Sequence, residues 1–198
     1  MKLNPRKVAA DILINIEKKD SYGNLEIKKK LRSHSLSSEA RNLITELVYG
    51  TVRYRLTLDW ALNLFLKVNV LKVKPAVRAV LRLGGYQIMY LDRIPDHAAC
   101  NESVNLVRQY GFAGLAGLVN AVLRNLARNK EELPWPQAKH DILKYLSIKY
   151  SYPPWMLKKW LARLPAAEVE ELCRAGNTPL PRSIRVNTLK VTPGIIKE

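Results

Sequence analysis

The chain has 198 residues, 47% of them hydrophobic and 25% charged, a mix that supports a packed core and fits one ordinary domain plus a small annex. Lys and Arg total 33 against 17 Asp and Glu, a formal net charge of +16. With no apolar run near the roughly 18 residues of a membrane helix and no signal-type block after the basic start, no membrane-spanning helix is expected and the cytoplasm is the default compartment.

The positive excess runs along the whole chain and is not gathered in a tail. A folded protein then carries it on its surface, where a polyanion relieves the self-repulsion, so nucleic acid is the predicted partner class. No segment sets a basic face against an exposed Trp, Phe and Leu face, as a membrane-surface helix would.

In chain order the pattern is a series of amphipathic helices. Asn4 and Pro5 read as a cap and first helical position, with Val8, Ile12, Leu13 and Ile16 on one face. A short, very basic segment follows over 24–33, carrying Lys28, Lys29, Lys30 and Arg32. Ser37 is placed to cap a helix whose Ala40, Leu43, Ile44, Leu47 and Val48 repeat at three-and-four spacing, and Leu58, Ala61, Leu62 and Phe65 mark the next. Pro75 opens a fifth helix, interrupted by Gly84 and Gly85 at about 1 kcal/mol each relative to alanine. Close helix packing accounts for the pair better than a nucleotide loop, because no strand precedes it and the glycine spacing of such loops is missing.

Asp96 is placed to cap a sixth helix ending at Gly111, and a seventh carries Leu115, Leu118, Val119, Val122, Leu123 and Leu126 as a buried stripe. The prolines at 134 and 136 break the pattern and mark a boundary, after which shorter helices are predicted over 142–150, 154–164 and 166–175. Ser183 to Asn187 alternates polar and apolar and reads as a strand. A strand without a partner leaves its hydrogen bonds unmade, so the chain is read as cut inside a further domain. The expected division is 1–132, 133–178 and 179–198.

Little of this points to chemistry. His34, His97 and His140 lie far apart in no ligand pattern, so no metal is expected. Cys100 and Cys173 each share a helical face with valines and read as buried small hydrophobes rather than thiolates. Glu168, Glu170 and Glu171 read as solvated helix charges. The binding candidates are basic: Arg6, Lys7, Lys28, Lys29, Lys30, Arg32, Arg53 and Arg55 as one phosphate-contacting surface, with Lys158, Lys159 and Arg185 further on. Tyr49, Tyr54 and Tyr110 are candidates for base stacking.

Three stretches together carry a family likeness. They are ELVYGTVR from Glu46 to Arg53; the run from Val80 to Gly111 continued by GLVNAVLRNLAR from Gly117 to Arg128; and KYSYPPWMLKKW from Lys149 to Trp160 with RSIRVNTLK from Arg182 to Lys190. The first two resemble the NusB-like helical domain, an RNA-binding bundle. All three in this order resemble the N-terminal part of the RsmB/Sun 16S rRNA cytosine-C5 methyltransferases.

That resemblance implies a mostly α fold: a NusB-like helical bundle over 1–132, a short helical extension over 133–178, and the first strand of a truncated α/β RNA-binding subdomain from 179. It implies small-subunit ribosomal RNA as the partner, and S-adenosylmethionine as cofactor of a methyltransferase domain that this sequence lacks. In such enzymes a cysteine thiolate adds to C6 of the unstacked cytosine, and a second cysteine releases the product. Neither Cys100 nor Cys173 stands in a matching motif, so no catalytic or cofactor-binding residue is expected here and the chain alone is expected to be inactive. Two rival readings remain: an antitermination factor, against which the segment from Tyr145 to Lys190 argues, and a scaffold that docks on its own methyltransferase domain.

Overall fold

The computed structural model describes residues 4–19, 23–32, 36–178, 185–187 and 189. Ten α-helices account for most of these. Helix α1 (Pro5–Lys19) begins where Asn4 Oδ1 accepts the backbone N–H of Arg6 at 2.9 Å, and Pro5, with no N–H to satisfy, takes the first position. Its buried Val8, Ala9, Ile12 and Leu13 pack on α3 (Ser38–Arg53) and α5 (Pro75–Tyr90). The basic segment is itself a helix, α2 (Gly23–Arg32), laid across α1 and α3 with Ile27 and Glu26 turned inward. Ser37 caps α3 as its position predicts, Oγ accepting from the Ala40 N–H at 3.3 Å.

Helix α4 (Arg55–Asn63) starts directly after α3, with Tyr54 holding the capping position at the end of one and the start of the other. Phe65, expected inside this helix, lies beyond its end. α5 runs through the middle, touching α1, α3, α4, α6 (Asp96–Gln109) and α7 (Ala116–Asn129). Every residue from Val77 to Ile88 is buried. That all-round burial explains Gly84, where a Cβ would stand 2.6 Å from both Leu123 Cδ1 and Ser103 Oγ; at Gly85 a Cβ would meet only ordinary contact.

It also buries two arginines. Arg82 donates to both carboxylate oxygens of Asp59 at 2.6 and 2.8 Å and to Glu17 at 3.2 Å. Arg78 reaches Glu17 and the carbonyls of Leu71 and Val73. Two cations and two carboxylates thus neutralise one another, the condition for keeping charge out of water.

The cap of α6 differs from expectation. Pro95 holds the capping position, and the Asp96 carboxylate reaches instead to Lys130 Nζ, 3.1 Å away at the end of α7. That contact closes the open end of an antiparallel α6–α7 hairpin, whose turn passes through Gly111 at φ +81° and a 3₁₀ turn at Ala113–Leu115. Leu118, read as part of the buried stripe of α7, is exposed.

After α7 the chain adds Leu133 to the first core and then builds a second. Helices α8 (Ile142–Tyr150), α9 (Pro154–Leu161) and α10 (Ala166–Asn177) enclose Leu146, Tyr150, Leu157, Val169 and Cys173. α9 ends three residues before its predicted limit and α10 two residues after; Leu172, beside the buried Cys173 of α10, is exposed.

The two cores meet at α4 and α8. The free N–H of Leu56, in the first turn of α4, donates to Ser151 Oγ at 2.9 Å, and the Thr57 hydroxyl donates to the Ile148 carbonyl at 2.6 Å. Ser151 takes φ 61°, a left-handed conformation that places its hydroxyl at this junction. Trp60 and Trp135 meet across the connecting segment with ring centres 4.7 Å apart and planes tilted by 35°.

No strand occurs among the described residues. Of the stretch predicted as one, Ser183 and Ile184 lie outside the described residues, and Arg185, Val186 and Asn187 have no regular structure.

Candidate nucleic-acid interface

The basic candidates fall into groups with different surroundings. On α2, the alternation of inward Ile27 with outward cations leaves Lys28, Lys29 and Arg32 exposed on one face, around a shallow depression that Leu25 also lines. Lys30 is half-buried. Among the described residues this depression is lined by three positive charges and no carboxylate. All of these cations fall in the second half of the helix, where they complement its dipole.

Arg6 and Lys7 stand at the far end of α1 from the turn where Asn15 meets Glu26 of α2. Arg6 Nε donates to Gln87 Oε1 at 2.7 Å, and Lys7 pairs with Asp11 at 3.2 Å and lies over the Tyr110 ring. They are tied into the fold and do not extend the α2 face. Arg53 donates to the Asn177 carbonyl at 3.4 Å, joining α3 to α10. Arg55 is exposed at the rim of a cavity of about 200 Å3 between α1, α3 and α5, with Glu17, Arg82 and Thr51 among its lining. Thr51 Oγ1 is buried there without a hydrogen-bond partner. Lys158 and Lys159 are exposed on α9, the latter over the Trp155 ring, and Arg185 is exposed.

The tyrosines separate in the same way. Tyr49 is exposed. Tyr54 stacks at 4.0 Å on Tyr90, which in turn meets Tyr86, and Tyr86 donates to Glu46. Tyr110 donates to Asp11 at 2.6 Å. Burial first, then the neighbouring carboxylate, pushes the Tyr86 and Tyr110 hydroxyls above their ordinary value. These two stay neutral donors, and the Tyr54 ring is already occupied by its own neighbours.

Both cysteines are buried and free. Burial raises both thiols, Cys173 to about 11, so they remain protonated and unreactive. Glu170 is no simple solvated charge: it accepts from the hydroxyls of Tyr145 and Tyr150, each at 2.7 Å. Those hydrogen bonds hold its carboxyl below the usual range despite some burial. Among the described residues no three His, Cys, Asp or Glu side chains cluster as metal ligands, and no helix is long and apolar enough to cross a membrane.

Sequence reasoning missed the Arg78–Arg82–Glu17–Asp59 network. Its only local signal is two arginines four residues apart in an otherwise apolar helix. It also missed the groove between α6 and α7, where Asn101, Asn105, Arg108, Asn120 and Arg124 line one depression.

Comparison with known proteins gives this arrangement a family. The NusB family model matches residues 3–128, and the model described as Methyltr_RsmF/B-like, ferredoxin-like domain matches residues 152–195. A Bacillus subtilis (strain 168) protein named probable ribosomal RNA small subunit methyltransferase B is 38% identical over 189 residues, 96% of this chain and 42% of that protein. The chain therefore spans less than half the length of that relative. Among solved structures, antitermination factors NusB and NusE in complex with dsRNA superimpose with a TM-score of 0.58 at 20% identity, covering 63% of this chain and 93% of the matched one. The protein PH0851 gives 0.66 at 19% identity, covering 100% of this chain and 44% of its own. Both likenesses concern the fold. The chain belongs to the NusB family, with a match to the RsmF/B-like, ferredoxin-like domain model behind the bundle.

Proposed function

We propose that this chain is the RNA-binding and positioning region of an S-adenosylmethionine-dependent 16S rRNA cytosine-C5 methyltransferase. The observation that carries the reading is the order of the two family matches on one chain, which a free-standing NusB bundle would not need. The exposed cations Lys28, Lys29 and Arg32 of α2 support it, because exposed charges are available to phosphates, and such contacts orient a protein on RNA without reading sequence. In this reading the bundle is 1–132, the helical extension 133–178, and the start of an α/β subdomain 179–198.

The described residues do not fit S-adenosylmethionine. Gly84 and Gly85, the glycine pair a nucleotide loop would need, are packed inside α5 against Leu123 and Leu58, and no described strand leads into a helix. Methyl transfer is accordingly assigned to parts of the relatives' length that this chain does not span, and the chain by itself is expected to be inactive.

The test is binding of the chain to a small-subunit rRNA fragment across a salt series, beside an unrelated RNA of equal length. Tight, steeply salt-dependent binding with preference for the rRNA fragment is the expected result; weak binding to both overturns the reading. A second reading, docking on the methyltransferase domain, is favoured by Trp155, which is 59% exposed on α9. It predicts that the chain captures the isolated catalytic domain without RNA.

A further inference from the structure

The α6–α7 hairpin carries a groove of about 480 Å3 on its outer side. Asn101, Asn105 and Arg108 recur at i, i+4 and i+7 on α6, and Gly117, Asn120 and Arg124 at i, i+3 and i+7 on α7, so each helix contributes a single stripe. Because the helices are antiparallel, closed at one end by Lys130 and Asp96, Arg108 stands near the turn and Arg124 toward the open end. An arginine thus stands toward each end, offset along the helix axes by roughly 10 Å for seven residues of rise, with Asn105 and Asn120 between them and Asn101 level with Arg124.

None of these five polar side chains makes a hydrogen bond or ion pair with another described residue, and no carboxylate lines the groove. Two other arginines of the bundle, by contrast, are engaged: Arg6 with Gln87 and Arg53 with Asn177. The other depressions differ in kind. The α2 face offers cations without amides, and the cavity beside Arg55 contains Glu17.

A planar guanidinium matches a phosphate in bidentate fashion, whereas a carboxamide offers a donor and an acceptor side by side, the pattern that recognises a base edge or a ribose 2′-hydroxyl. Recognition of that kind in RNA targets unpaired segments, whose bases are accessible. The geometry points to the α6–α7 groove as the surface that reads a short unpaired stretch of RNA, its arginines on phosphates and its asparagines on base edges or 2′-hydroxyls. The α2 face, by contrast, holds backbone charge. This assignment rests on the reading that the chain binds RNA.

The experiment compares three nucleic-acid probes by fluorescence anisotropy: a small-subunit rRNA fragment, an unrelated RNA of equal length, and single-stranded DNA of the rRNA sequence. Asn105→Ala with Asn120→Ala is expected to reduce the preference for the rRNA fragment by about tenfold or more while leaving the salt slope unchanged. Arg108→Gln with Arg124→Gln is expected to weaken binding to all three and to lower the log–log salt slope by about 1.4. Gly117→Leu supplies a control for folding, since a Cβ there meets nothing within 4 Å and the larger side chain fills the groove without disturbing the core. It is expected to remove the preference with thermal stability intact. Steep wild-type binding that none of the three variants alters overturns the groove assignment and leaves RNA binding standing; a wild-type chain that binds none of the probes overturns both.

Discussion

At Gly84 a methyl group has nowhere to go: Leu123 is fully buried, and Ser103 Oγ is held by the Ala99 carbonyl at 2.8 Å. Gly84→Ala is therefore expected to destabilise by about 1–3 kcal/mol, the usual range for overpacking, despite alanine's better helix propensity. At Gly85 the nearest atom to a built Cβ is Leu58 Cδ2 at 3.4 Å, an ordinary contact. Gly85→Ala should be neutral or raise stability by up to about 1 kcal/mol. Urea denaturation of both variants checks the pair, and equal effects would show that packing does not choose these glycines.

The ion network makes a pH prediction at the same scale. Burial pushes the Glu17 carboxyl up, but hydrogen bonds and charges from Arg78 and Arg82 outweigh it and hold the group below its ordinary value. A depressed carboxylate contributes stability above its unfolded pKa, roughly pH 4.3, and loses it as pH falls through the lowered folded value. The denaturation midpoint of the native chain should fall in acid, and its advantage over Glu17→Gln should shrink over that window. Parallel midpoint curves would show that Glu17 is not linked to folding.

Between elements, the junction of α4 and α8 is held by side chains that complete each other's helix ends. Ser151→Ala removes the hydroxyl that accepts from Leu56 and keeps the left-handed backbone, so a loss of about 1–2 kcal/mol is expected. Ser151→Gly also loses the hydroxyl but relieves the φ 61° conformation, and should cost less. Thr57→Val combined with Ser151→Ala should show a coupling of about 0.5 kcal/mol or more in a double-mutant cycle; additive effects would mean that the two bonds act independently.

What could be read from the sequence divides along the same line. The Asn4 and Ser37 caps and the glycine after α6 were legible because each is a local pattern, set within a few residues, and close packing at the α5 glycines holds at Gly84 but not at Gly85. The arginine pairs were not, since Arg78 finds Glu17 61 positions away, nor was the cap on α4, supplied from 95 positions away. Of the proposed interface, the Lys28–Arg32 run was visible as charge, but the sequence did not show that Arg6, Lys7 and Arg53 are tied down. The α6–α7 groove escaped because its residues are spread over two helices and belong to no motif.

For the molecule as a whole, surface charge and buried charge do different work. The buried arginines are neutralised internally, so counterion release on RNA binding should come from the exposed cations. Replacing Lys28, Lys29 and Arg32 together with alanine is expected to flatten the log–log salt dependence of RNA affinity by about 2, at about 0.7 per single-strand phosphate, with the denaturation midpoint unchanged. An unchanged slope would place the phosphate contacts on other elements.

The cap that Ser151 gives to α4 also sets an order of events during synthesis. Leu56 leaves the ribosome 95 residues ahead of its acceptor, an interval of roughly 5–20 s at ordinary elongation rates of about 5–20 residues per second. Through that interval α4 can form and pack its Leu58, Ala61 and Leu62 into the first core, but its opening turn stays hydrated until α8 is complete. The nascent bundle is thus finished from behind, by a segment that belongs to the second core.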